Sequence, residues 1–258
     1  MFLQGIYGTG LQLAYPSLLK PLEWQVTGPA MQPTHQYPST TTIQFFYDDR
    51  KEADKIEAYL PKVVELLKSS PFYRNSEELV LVQKPKILQA GLTEEQLSYT
   101  RGGFYLPKQY SYYFTSTNDV FSPDEIYYSH NNPYHSVVLH ELTHQMVSRY
   151  YGKWLTGISL ETWKNEGYAE YMVATGCYST KAELLAIITE RSLSDRMLQD
   201  PFSRTKSWAQ YRIDDYMAAL VQTRYALDAK KVFPLEFMKS SYKLASAQEI
   251  KDWLVTED

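Results

Sequence analysis

The chain changes character near its middle, and that change limits its fold more than any other feature. Strand-type patterning comes first. Thr41 to Tyr47 is a β-branched and aromatic run, Glu78 to Gln83 is a short apolar run stopped by Lys84-Pro85, and the tyrosine-rich stretch from Phe104 to Phe114 follows the Arg101-Gly102-Gly103 turn and suits either a hairpin or a loop. Glu125 to Ser129 suits a further short strand. Between the first two strands, Lys51 to Ser69 carries Ile56, Tyr59, Leu60, Val63, Val64, Leu66 and Leu67 at helical spacing, with Pro61 expected to kink it. From Pro133 onward the pattern is helical. Asn132 suits an N-cap with Pro133 at the first helical position, and the helix runs to about Tyr150. Further helices are expected over Glu161–Thr175, Thr180–Arg191, Lys206–Leu227, Pro234–Leu244 and Ala247–Leu254. Strands clustered before helices give an α+β fold. The expected organisation is an extended N-terminal segment over 1–40 and a domain over 41–258, split into a sheet-bearing part (41–152) and a helical part (153–258).

Composition narrows the function classes. With 258 residues, 44% hydrophobic and 22% charged, the chain has enough length and apolar content for a substantial core. A formal net charge of −4 argues against nucleic acid as a partner, which would need a basic footprint. A single cysteine, Cys177, rules out an internal disulfide framework. Residues 1–19 carry no charged side chain, and the prolines at 21, 29, 33 and 38 follow. This start lacks the basic region and cleavage site of a signal peptide. It reads either as a segment packed on the domain or as the remnant of a membrane anchor, through which the protein would associate with a membrane. The second reading favours an anchored or extracytoplasmic location over a cytoplasmic one; nothing in the sequence fixes the oligomeric state.

Two short motifs carry the chemistry. The first is His140-Glu141-Leu142-Thr143-His144. On a helix, positions i and i+4 share a face, so two imidazoles can grip one metal ion with a glutamate beside the first. Val138, Leu139, Leu142 and Met146 fall largely on the other side and suit a core, while Ser136, Thr143 and Val147 flank the histidines with small groups. The second motif, Trp163-Lys164-Asn165-Glu166-Gly167-Tyr168-Ala169-Glu170-Tyr171, puts Glu166 and Glu170 on one face of the next helix. Glu166 can supply the third ligand that a catalytic zinc needs, and Glu170 can accept the free ring N–H of a ligating histidine. Gly167 and Ala169 permit close helix approach. Each motif alone has a bland explanation, as a hydrogen-bonded histidine pair or an exposed carboxylate pair. Glu161 is a rival third ligand without the surrounding motif. His35, His130 and His135 are spare.

HELTH followed by WKNEGYAEY resembles the gluzincin metallopeptidases, the HExxH plus NExxA[ED] class, with the second motif especially close to the form in aminopeptidase-like and small peptidase MA-like proteins. The resemblance covers about residues 126–172. It implies a zincin-like fold, one Zn2+ per chain held by His140, His144 and Glu166, Glu141 as general base and Glu170 as support behind the ligands. Twenty-one residues separate His144 from Glu166, slightly more than the family's usual spacing; the extra length falls around Tyr151 to Ser159. A metzincin would need glycine and histidine where Val147 and Tyr150 stand. Relatives place a tyrosine or histidine from a later helix at the oxyanion. No histidine follows His144, so Tyr211 is preferred here, with Tyr216 as the other candidate and Arg212 as an extra donor. The implied activity is hydrolysis of peptide bonds in a peptide or protein substrate, bound extended along an edge strand near 125–129. The absence of a GxMEN-type motif favours endopeptidase or oligopeptidase action over aminopeptidase action. The alternative is a catalytically inactive zincin-fold module that binds a peptide or protein through the same cleft.

Overall fold

The computed structural model describes residues 35–74, 79–85, 103–106, 110–115, 133–151, 160–174, 180–202 and 213–256. The chain divides into two compact units, residues 1–158 and 159–258.

Among the described residues the first unit holds a sheet and three helices. Its strands are β1 (His35–Tyr37), β2 (Gln44–Tyr47), β3 (Val80–Pro85), β4 (Gly103–Leu106) and β5 (Tyr110–Thr115), in the order β1-β2-β3-β5-β4. β2, β3 and β5 run parallel, and β1 and β4 join antiparallel at the two edges. The central strand is buried on both faces, as a covered parallel strand must be: Val80, Leu81, Val82 and Gln83 are all buried. Of the hairpin and the loop left open for the tyrosine-rich stretch, β4 and β5 form the hairpin, with Gly103, expected in the turn before it, inside β4 opposite Tyr113. The strand expected at 41–47 starts at Gln44, and the segment before it, expected to be extended, contributes β1. The strand expected at 125–129 and the N-terminal stretch 1–34 lie outside the described residues.

The helix expected over Lys51–Ser69 is two helices, α1 (Arg50–Glu57) and α2 (Leu60–Lys68). Pro61 does not kink a continuous helix. It sits in the first turn of α2, where its missing N–H costs nothing. Asp49 caps α1, its side chain accepting from the amides of Lys51 and Glu52. The buried Gln83 side chain accepts from the amides of Asp48 and Asp49, which ties the start of α1 to β3. Ile56, Leu60, Val63, Leu67 and Phe72 fill the core with Phe45, Leu81 and Val82.

α3 (Pro133–Tyr151) is the long helix of this unit and packs against α1, α2, β3, β4 and β5. Val138, Leu139, Leu142 and Met146 are buried as their spacing implies. The helix is also buried on its polar side, where Thr143, Gln145 and Ser148 are each at most 1% exposed. Thr143 donates to the Leu139 carbonyl at 2.7 Å. Gln145 accepts from the Val80 amide at 2.7 Å and donates to the Val80 carbonyl at 3.0 Å. Pairing of β3 with β5 begins only at Leu81, so the Gln145 amide takes the place of a strand neighbour for Val80.

The second unit is helical: α4 (Thr162–Ala174), α5 (Lys181–Glu190), α6 (Asp195–Gln199), α7 (Ile213–Arg224), α8 (Pro234–Phe237) and α9 (Ala247–Val255), with a π-helical stretch over Tyr225–Ala229 after α7. Capping boxes start α5 (Thr180 with Glu183) and α9 (Ser246 with Glu249). The Gln222 side chain donates to the carbonyls of Leu198 and Ala245 and accepts from the Ala245 amide, stitching three segments together. The helix expected over Pro234–Leu244 stops at Phe237, and the chain continues in turns, the Lys239 amide bonding the Glu236 carbonyl and the Tyr242 amide the Lys239 carbonyl. α6 lacks a sequence signal, being too short to show a period. Among the described residues no helix is long and apolar enough to cross a membrane.

Replacing Gln145 with alanine strips both Val80 backbone groups of their partner in a dry site. A destabilisation of about 1–3 kcal/mol is expected in denaturant unfolding, whereas Gln145→Glu keeps the acceptor and loses only the donor.

Candidate metal centre

The buried surroundings of α3 set the electrostatics of its motif. His144 is 3% and Glu141 8% exposed, while His140 is half-buried. The one-turn spacing brings the two Nε2 atoms to 3.0 Å, with the rings nearly perpendicular at 84°. Two nitrogens bound tetrahedrally to one zinc ion would stand about 3.3 Å apart, given Zn–N bonds of about 2.0–2.1 Å. The pair is therefore already close to the separation that a shared ion demands.

On α4 the carboxylates of Glu166 and Glu170 are also buried, at 6% and 1% exposure. The same helix packs closely on α7. A Cβ added at Gly167 would lie 2.7 Å from the Ala219 carbonyl oxygen and would collide with Thr223 Oγ1. Thr223 cannot swing away without breaking its 2.8 Å hydrogen bond to that same carbonyl. Glycine is thus required beside Glu166 for packing, and Ala169 and Val173 are fully buried on the same helix.

His140, His144 and Glu166 each offer a ligand atom, and these atoms lie within 4.8 Å of one another. Two imidazoles and a carboxylate are a donor set suited to zinc, and this group could hold a metal ion. Glu161, the rival ligand, is engaged elsewhere: its Oε2 lies 2.6 Å from Lys164 Nζ. Tyr211 and Arg212 lie outside the described residues, as do the side chains of Ser136 and His135, and His130. Tyr216 is half-buried on α7, its ring edge-on to Phe202 at 5.2 Å. His35 is exposed on β1 against Tyr47.

Two residues inside or beside the motifs carry structural work that spacing alone does not reveal. Gln145 follows the second histidine directly. Lys164 precedes Glu166 by two positions and is fully buried. Polar residues within a helix usually read as solvent-facing, so burial of both was not legible from periodicity.

Further along α4, Tyr171 donates to Asp228 Oδ1 at 3.2 Å, and Asp228 also pairs with Arg224. Burial, then the neighbouring Asp228 charge and hydrogen bond, push the Tyr171 phenol up to about 12.

No model of a known protein family matches the sequence, and comparison with curated proteins found no significant relative.

Gly167→Ala is expected to destabilise the protein by about 1–3 kcal/mol, the cost of overpacking against backbone, read as a lowered melting temperature. For Tyr171, the folded state holds the phenolic proton to a higher pH than the unfolded chain does. Its contribution is present below about pH 10 and is lost as pH rises toward 12. Wild type should therefore lose stability more steeply than Tyr171→Phe across that window in urea unfolding.

Proposed function

We propose that this protein is a zinc-dependent metallopeptidase of the gluzincin type, with His140, His144 and Glu166 as the metal ligands. The observation that carries the reading is the convergence of those three side chains within 4.8 Å, from two motifs that together resemble HExxH plus NExxAE. Zinc bound there supplies a water with its pKa lowered to about 7 and a Lewis acid for the scissile carbonyl.

The remaining chemistry belongs to the chain. Glu141 follows a ligating histidine and is nearly buried, so its carboxylate is shielded from bulk water. It takes a proton from the attacking water and returns it to the leaving amine. Glu170, one turn after Glu166, accepts the free ring N–H of a ligating histidine and so fixes which nitrogen faces the metal. A tyrosine hydroxyl, from Tyr211 or Tyr216, donates to the oxyanion. The substrate is a peptide or protein, held extended by main-chain hydrogen bonds.

Elemental analysis of protein purified without a histidine tag should find about one zinc per chain, lost in Glu166→Ala. Glu141→Gln should keep the zinc and lower peptide hydrolysis by about a hundredfold or more. Equal cleavage by wild type and Glu141→Gln would remove the catalytic assignment. Zinc without any hydrolysis in wild type would leave the peptide-binding module instead, and no zinc after reconstitution would end the reading.

A further inference from the structure

Lys164 is a fully buried lysine. An ammonium in that position is costly unless it is hydrogen-bonded and paired with a counter-charge. Lys164 has both. Nζ donates to the Lys239 carbonyl at 2.6 Å and to the Tyr242 carbonyl at 2.9 Å, and it lies 2.6 Å from Glu161 Oε2. The Trp163 ring stands 5.4 Å from the ammonium. Trp163 in turn meets Phe237 and Tyr242, with centroids at 5.4 and 6.4 Å, so an aromatic cluster encloses the same junction. The two carbonyls come from the turn that follows α8, where the chain has left the helix and its backbone needs partners.

The position of this node on α4 gives it a consequence. Two residues along a helix turn through about 200°, so Lys164 and Glu166 project from nearly opposite sides of α4. Gly167, a further 100° or so round, is the contact with α7. The helix is therefore held from behind and from one flank, leaving the Glu166 side as the face that is presented. Rotation about the axis is what such an arrangement resists. A carboxylate about 5–6 Å from the axis moves about 1 Å when a helix rotates by about 10°. Metal–ligand distances tolerate only about 0.2 Å.

We propose that Lys164 is a positioning residue for the metal centre: by fastening the first turn of α4 to the 239–242 turn, it fixes the rotation of the helix that presents Glu166. This rests on the metal-site reading above for its functional effect. An apolar side chain of similar length would fill the same volume but would hold neither carbonyl, and the turn would lose its directional attachment.

The test compares wild type with Lys164→Met and with Lys251→Met, an exposed lysine paired with Asp195, as a surface control. Zinc affinity is measured by competition with a chromophoric chelator, and the visible spectrum of the cobalt-substituted protein reports the ligand set. Hydrogen exchange of the metal-free protein reports the tether. Lys164→Met should weaken zinc binding by about tenfold or more, as loss of supporting interactions around metal ligands does. It should alter the cobalt spectrum and speed exchange over 162–170 and 238–242, with Lys251→Met unchanged. If wild type binds zinc and Lys164→Met matches it in affinity and spectrum, the positioning role is overturned while the metal site stands. A wild-type protein that binds no zinc overturns both. Should Lys164→Met fail to fold, Glu161→Gln decides: it removes the ion pair at a partly exposed residue, and a smaller loss of affinity supports the role while wild-type affinity overturns it.

Discussion

Polar groups taken out of water must find partners inside the protein, and in this chain that requirement organises both units. α3 is buried on its polar side as well as its apolar one, so Thr143, His144, Gln145 and Ser148 all stand away from solvent. Thr143 turns back to its own helix and Gln145 reaches to β3. The second unit meets the same demand with Lys164 and Gln222, each satisfied by backbone groups of segments far away in sequence. These side chains act as fasteners whose geometry is directional, unlike the apolar contacts around them.

The grouping of His140, His144 and Glu166, which could hold a metal ion, rests on close packing of its helices. Two imidazoles one turn apart come with any helix, but their approach to within 3.0 Å at the Nε2 atoms needs side chains confined by packing. Glu166 needs a helix that can come close to its neighbour, and Gly167 provides it at the Ala219 carbonyl. The three clustered residues and the residues that pack or fasten their helices alternate along the same two stretches of sequence.

That alternation explains what could be read in advance. The α+β arrangement, the long helix starting at Pro133 and the helix bearing Glu166 follow from periodicity and from proline and glycine punctuation, while the stretch from Phe104 to Phe114 leaves both a hairpin and a loop open. The two motifs identify the three clustered residues by spacing. Elements decided by long-range contacts were not legible. β1 is three residues that become a strand only by pairing with β2. The stretch after Phe237 has helical spacing but gives its carbonyls to Lys164. The break between α1 and α2 turns on Pro61 starting a helix rather than bending one, a choice that local propensity leaves open.

The π-helical stretch after α7 has a consequence of its own. A π turn is one residue longer than the α turn it replaces, as though a residue had been slipped into a regular helix. Here the Lys230 amide bonds the Tyr225 carbonyl across five residues, and Asp228 within the turn meets both Tyr171 and Arg224. A chain one residue shorter in this turn would still make a good helix. It would, however, carry Asp228 about 100° round the axis, away from α4. The extra residue thus sets the phase of the helix, and chain length at this turn is as much a specification as side-chain identity.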